Sequence, residues 1–131
     1  MRTSLSKLSA GILSALSLAA ASHAVYANDI VISGVIDGPL SGGVPKAVEL
    51  YVINDVADLS TYGIGSANNG GGSDGEEFTF PSQSVSAGTY LYVASDIDGF
   101  TAFFGNAPDF DSSAMAINGD DAVELLKTAM W

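Results

Sequence analysis

From residue 30 onward the chain consists of short apolar runs, separated by clusters of Gly, Asn, Asp, Ser and Pro. Short β-branched and aromatic runs bounded by such turn residues predict β-strands. Their close spacing along the chain is typical of an all-β sandwich or barrel. We therefore expect strands packed in layers rather than a bundle of helices.

The predicted strands share β-branched or alternating apolar character and end at turn residues. They cover residues 30–36, 46–54, 76–80, 89–95, 113–118 and 122–127. In the strand 46–54 the period of two places Val48, Leu50 and Val52 on one face, which we expect to be buried. An Asn118-Gly119 pair predicts a hairpin between the last two strands.

Two segments depart from the strand pattern. Residues 65–75 hold many glycines and little to bury, which predicts a flexible loop after a short ordered crossing at 58–62. In the segment 96–106, Phe100, Phe103 and Phe104 follow the spacing of one helical face. We expect a short helix there whose phenylalanine face caps one end of the core.

Residues 1–27 have the features of a secretory signal peptide. Arg2 and Lys7 supply a positive start, and an apolar run follows that is shorter than the ~20 residues a bilayer-spanning helix needs. Small-residue cleavage patterns end at Ala24 and Ala27, and we expect cleavage at the second. The alternative is an uncleaved membrane anchor, which the serines within the apolar run disfavour.

Charge and composition narrow the class of protein further. The whole chain carries Lys+Arg 4 against Asp+Glu 15, a net charge of −11, and it has no Cys. Cleavage after residue 27 removes half of the basic residues and the single histidine, His23. We expect an exported bacterial protein, secreted or periplasmic, with no disulfide and no contact with the membrane after cleavage. Nucleic-acid binding is disfavoured, since it needs clustered Lys and Arg.

The end of the chain follows the last predicted strand without a closing turn. Thr128-Ala129-Met130-Trp131 comes directly after the strand 122–127. That strand would lie unpaired on one side unless an earlier strand covers it, and native proteins normally protect such an edge. We interpret residues 28–131 as one domain lacking its last strand or strands; a simple terminal tail is the alternative.

Several motifs, in order, resemble those of the lamin tail domain family. The chain has Ile32-Ser33-Gly34, Lys46-Ala47-Val48-Glu49-Leu50-Tyr51, Asp58-Leu59-Ser60-Thr61-Tyr62, Phe78-Thr79-Phe80-Pro81 with Ala87-Gly88-Thr89-Tyr90, and Asn118-Gly119-Asp120-Asp121-Ala122-Val123-Glu124-Leu125. The resemblance extends over nearly all of the chain after residue 27. It implies an immunoglobulin-like β-sandwich without catalytic residues. The chain also resembles the N-terminal module of secreted bacterial nucleases, in which a separate catalytic domain follows.

Catalytic chemistry has few candidate residues after residue 27. Without His or Cys, neither a Ser-His-Asp nor a Cys-His arrangement is possible, and the usual zinc ligands are missing. Acidic clusters are the candidates for a hard cation such as calcium: Asp74/Glu76/Glu77, Asp96/Asp98, Asp109/Asp111 and Asp120/Asp121/Glu124. Of these we single out Asp96, Asp98, Asp120 and Asp121. The alternative for each cluster is a solvated turn, and we expect no other cofactor.

The candidate partner surface consists of Glu49, Tyr51, Tyr90 and Tyr92, which alternate away from the expected core. An exposed aromatic strip of this kind binds ligands or partners. The alternative is that the tyrosines fill a second core layer or the flank of the sheet. The partner itself would be a cell-surface component or a C-terminal catalytic domain.

We therefore predict a secreted, non-catalytic binding or positioning module of lamin-tail type. The alternative is the N-terminal fragment of an extracellular nuclease whose catalytic domain is missing from this chain.

Overall fold

A computed structural model describes residues 28–73 and 75–128. The predicted signal peptide, Asp74 and residues 129–131 lie outside the described residues. Seven strands and one α-helix are defined within them: β1 (Ile30–Leu40), β2 (Val44–Val52), β3 (Tyr62–Ala67), β4 (Phe78–Thr79), β5 (Tyr90–Ala94), α1 (Ile97–Phe104), β6 (Phe110–Asp111) and β7 (Ala122–Lys127). The expected all-β class is confirmed.

The strands form two sheets, with the orders β1-β2-β5-β6 and β4-β3-β7. Every pairing is antiparallel except that of β5 with β6, which is parallel. Consecutive strands β2 and β3 belong to different sheets, so the chain crosses between layers after β2. The crossing passes through a short 3₁₀-helix at Leu59–Thr61, in the segment predicted to be an ordered crossing.

The two sheets share one hydrophobic core. Val48, Leu50 and Val52 of β2 are fully buried, as the period of two predicts, and Ile64 of β3 packs in the same cluster. Phe80 joins them from the end of β4. Burying one large aliphatic or aromatic side chain contributes roughly 1.5–3 kcal/mol, so this core is the main source of stability.

The prediction of a loop over residues 65–75 was wrong in its first part. Residues 65–67 belong to β3, every residue of which is buried. Packing explains the glycine at position 65, because a Cβ there would collide with the carbonyl oxygen of Gly75. Ser66 donates hydrogen bonds from its backbone N–H and its hydroxyl to Glu77, at 2.7 and 2.8 Å. Close backbone approach, rather than flexibility, therefore accounts for glycine in this strand.

The predicted strand 113–118 and its hairpin were also wrong. Residues Ser113–Met115 form a 3₁₀-helix capped by the Ser112 hydroxyl, which accepts the N–H of Ala114. The turn predicted at Asn118-Gly119 does form, because Asp121 N–H donates to the carbonyl of Asn118 at 3.0 Å. However, β7 leaves this turn to pair with β3 in the other sheet.

Helix α1 confirms the predicted helix but not the packing expected for it. Asp96 caps its N-terminus, and Gly105 ends it in the left-handed conformation. Phe100 is buried against Ala47 and Ala94, in a cluster separate from the main core. Ala47 alternates with the core residue Val48 along β2, so α1 lies on the outer face of the four-stranded sheet.

Among the described residues, β7 pairs only with β3, so it is an edge strand as expected. Its end is linked to the start of β1 by Lys127, whose Nζ lies 3.0 Å from the Asp29 carboxylate. Tyr62 donates its hydroxyl to the same carboxylate at 2.9 Å. These hydrogen bonds lower the pKa of Asp29, with Lys127 making the largest contribution.

Candidate functional site

The outer face of the four-stranded sheet carries the predicted partner surface. Register pairs Glu49 with Tyr92 and Tyr51 with Tyr90 across β2 and β5. Paired residues in adjacent strands point to the same side of a sheet. Because the neighbouring positions Leu50 and Leu91 are buried in the core, these four side chains point away from it. We call them together the tyrosine face.

Tyr51 and Tyr90 form an aromatic pair at the end of the tyrosine face remote from α1. Their ring centroids are 5.0 Å apart, and the ring planes are inclined by 46°. Tyr90 is 51% exposed, while Tyr51 is half-buried. The two rings therefore pack against each other at an angle rather than forming one flat platform. Ring faces are electron-rich and apolar, so the exposed ring surface favours apolar or cationic groups.

Glu49 and Tyr92 form a polar pair beside the rings. The Tyr92 hydroxyl donates to one carboxylate oxygen of Glu49 at 2.8 Å, and the Ser33 hydroxyl donates to the other at 2.9 Å. The hydrogen bond to Glu49 raises the pKa of Tyr92, because the negative carboxylate stabilises the protonated phenol. The carboxylate is therefore held in a fixed orientation by two neutral hydroxyl groups.

Tyr92 also joins the tyrosine face to helix α1. Its ring centroid is 5.7 Å from that of Phe100, and Phe100 contacts Phe104 at 4.6 Å. Phe103 and Phe104 are 49% and 43% exposed, so they do not cap the core as expected. They extend the aromatic surface onto the helix instead. The sequence signal was present in their helical spacing, but it gave no indication of which sheet face the helix covers.

Negative charge borders this surface on the β6 side. Asp109 accepts the backbone N–H of Tyr92 at 2.8 Å and so borders the tyrosine face on the β6 side. The two lysines after residue 27 pair elsewhere: Lys46 lies 2.7 Å from Asp37, and Lys127 lies beside Asp29. Within the described residues, neither lysine forms a salt bridge with Glu49.

The calcium candidates on α1 take part in capping. Asp96 accepts the backbone N–H of Asp98 at 3.2 Å, as an N-cap residue does. Asp98 lies in the first turn of the helix and is exposed. The positions of Asp96 and Asp98 therefore agree with the alternative predicted for this cluster, a solvated turn.

Asp121, in the loop before β7, accepts two backbone N–H groups. These come from Asn69 at 2.8 Å and Asn118 at 2.7 Å, and they lower the pKa of Asp121. The neighbouring Asp120 is exposed. Asp120 and Asp121 line an open depression of about 430 Å³ with Glu124, Gly70 and Gly72.

Across residues 28–73 and 75–128, no group of three or more His, Cys, Asp or Glu side chains comes together as a metal site would require. One cluster, Asp74/Glu76/Glu77, includes a residue outside the described part of the chain. Calcium binding stays a prediction. Over the same residues, no helix is both long and apolar enough to cross a bilayer.

Comparison of the chain with protein-family models, with curated proteins and with solved structures finds no match. The candidate site is therefore defined by its own geometry: an inclined tyrosine pair, a fixed carboxylate and a bordering helix with exposed phenylalanines.

Proposed function

We propose that this chain is a secreted, non-catalytic module that binds or positions a partner, with an immunoglobulin-like sandwich of lamin-tail type. The observation that carries the proposal is the tyrosine face. It is an aromatic surface on the two central strands of the sheet, beside the part of the same face that α1 covers at Ala47 and Ala94. Exposed aromatic residues next to fixed polar groups are typical of binding surfaces.

The position of the surface also supports a binding role. Tyr51 and Tyr90 lie on β2 and β5, the two strands whose inner faces contribute Leu50 and Val93 to the core. A binding group on such strands is held by the packing beneath it and costs little to order on association. A module of this kind works without a reaction of its own.

Retention on cells tests the proposal. The exported protein is labelled and added to washed cells of the source organism, beside a variant carrying Tyr51→Ala and Tyr90→Ala. Leu40→Ala is the matched control, because Leu40 is 52% exposed on β1, away from the tyrosine face. We expect the native protein and the control to be retained and the double variant to be washed off. Equal retention of all three would contradict the proposal.

The nuclease alternative is tested separately. Purified protein is incubated with DNA and divalent metal ions, and the coding DNA is read past the codon for Trp131. Hydrolysis of DNA by this chain would contradict a non-catalytic module. An open reading frame encoding a metal-dependent nuclease domain would instead make the module part of a larger enzyme.

A further inference from the structure

The chemistry of the tyrosine face indicates what kind of partner it takes. The Glu49 carboxylate receives hydrogen bonds from two hydroxyl groups, which orient it but leave its charge in place. Its neighbours across the sheet are Gly34 on β1 and Tyr92 on β5, neither of which supplies a positive group. Glu49 is only half-buried, so part of its side chain remains open to solvent and to a ligand.

The tyrosine pair favours a positively charged ligand, as the Glu49 carboxylate does. Cations are attracted to ring faces within about 6 Å of the centroid, and the ring of Tyr90, which packs beside Tyr51, is 51% exposed. Glu49 lies on the same face of β2, two residues from Tyr51. An exposed aromatic ring beside a carboxylate favours a cation over a neutral saccharide.

Charge complementarity extends beyond the tyrosine pair. Asp109 borders the face, Asp111 follows in β6, and the whole chain carries a net charge of −11. A field of this sign attracts a basic partner and repels an acidic one before contact is made. The tyrosine face lies within that field and adds the specific contacts.

We infer that the tyrosine face binds lysine or arginine side chains from a basic segment of a partner protein, with Tyr51 and Tyr90 receiving the cation and Glu49 pairing with it. The inference rests on the proposed function and names the chemical class of its partner. Arginine fits better than lysine, because its planar guanidinium stacks on an aromatic ring while its N–H groups reach a carboxylate.

Titration with short peptides tests the inference. The probes are an arginine-rich peptide, a lysine-rich peptide and a neutral oligosaccharide, each followed by calorimetry and by NMR of the tyrosine rings. We expect the basic peptides to bind and to shift the Tyr51 and Tyr90 signals. Tyr90→Leu and Glu49→Gln should each weaken binding about tenfold, whereas Tyr90→Phe keeps the ring and should retain most of the affinity.

Two controls separate a specific site from general attraction to an acidic protein. Asp120→Asn removes the same charge as Glu49→Gln but lies in the loop before β7, and Leu40→Ala removes a comparably exposed apolar side chain. Both should bind the peptides within about twofold of the native protein. If Asp120→Asn weakened binding as much as Glu49→Gln, or if the tyrosine signals did not move, the inference would be overturned.

A result with the oligosaccharide distinguishes this inference from the function beneath it. Binding of the saccharide at the tyrosines, without binding of the basic peptides, would overturn the cationic partner and leave the binding module intact. Loss of cell retention in the Tyr51→Ala, Tyr90→Ala variant, together with binding of the basic peptides by the native protein, would support both the binding module and the cationic partner.

Discussion

The two faces of the four-stranded sheet are built from the same central strands but differ in how far they are buried. The inner face of β2 and β5 is sealed by the second sheet, with Leu50 and Val93 fully buried. The outer face is covered by α1 at one end, over Ala47, and left open at the other, where Tyr51 and Tyr90 lie. The inner face therefore holds the fold together, while the open part of the outer face carries the proposed binding surface.

The largest expected loss of stability comes from a substitution on the inner face. Leu50→Ala should lower the free energy of unfolding by about 3 kcal/mol, because it leaves a cavity in a closely packed core. Urea denaturation measures this loss. Tyr51→Ala, one residue away on the outer face, is the control and should cost less than about 1 kcal/mol. Equal losses at the two positions would show that the outer face is packed like the core.

A substitution at the end of the outer face that α1 covers should cause an intermediate loss of stability. Phe100→Ala should cost about 2 kcal/mol, because Phe100 is buried but its neighbours Ala47 and Ala94 are small and the short helix can settle onto them. The matched control is Phe103→Ala on the same helix, which should stay within about 0.5 kcal/mol of the native protein. A larger effect at Phe103 would mean that the helix packs through its other side.

A smaller effect is expected within the tyrosine face. Tyr92→Phe removes the hydroxyl that donates to Glu49 and should cost about 1 kcal/mol, the usual net value of one hydrogen bond. Tyr90→Phe serves as the control on the same strand. The spectroscopic titration of the native protein should also show Tyr92 ionising above its usual pKa of 10.0, and Glu49→Gln should reduce that shift, because the hydrogen bond to Glu49 is its largest cause. An unchanged titration in Glu49→Gln would contradict the assigned pair.

The smallest expected effect is electrostatic and lies at the sheet edge. The pKa of Asp29 is lowered below 3.8 in the folded chain, so the unfolded state binds its proton more readily. The corresponding stability is present above the unfolded pKa and is lost as the pH falls through the lowered one. Asp29→Asn should therefore flatten the acid side of a plot of unfolding free energy against pH. An unchanged slope in Asp29→Asn would count against the Lys127 contact.

Local patterns predicted much of the first sheet and the helix. Alternation in β2 and β5 identified both faces correctly, because a strand exposes and buries side chains with a period of two that the sequence itself displays. The phenylalanine spacing and the flanking Asp96 and Gly105 located α1 for a similar reason, since caps and helical period are local properties.

The failures share one physical cause. Residues 65–67 looked like part of a loop because glycine lowers strand propensity, yet the close approach of Gly75 to Gly65 and the hydrogen bond from Ser66 to Glu77 accompany their place in β3. The segment 113–118 looked like a strand, but Ser112 caps a 3₁₀ turn, and Met115 is buried without strand pairing. In both places tertiary packing overrode the local preference.

For the tyrosine face, too, some properties follow from the sequence and others only from the tertiary structure. The sequence by itself determined which residues belong to it, because Glu49, Tyr51, Tyr90 and Tyr92 fall on one side of their strands wherever those strands pair. Only the tertiary structure decided that β2 and β5 are neighbours, that Tyr51 meets Tyr90 and Glu49 meets Tyr92, and that α1 leaves this end uncovered. Pairing and coverage depend on contacts between distant segments, whose energies no local pattern contains.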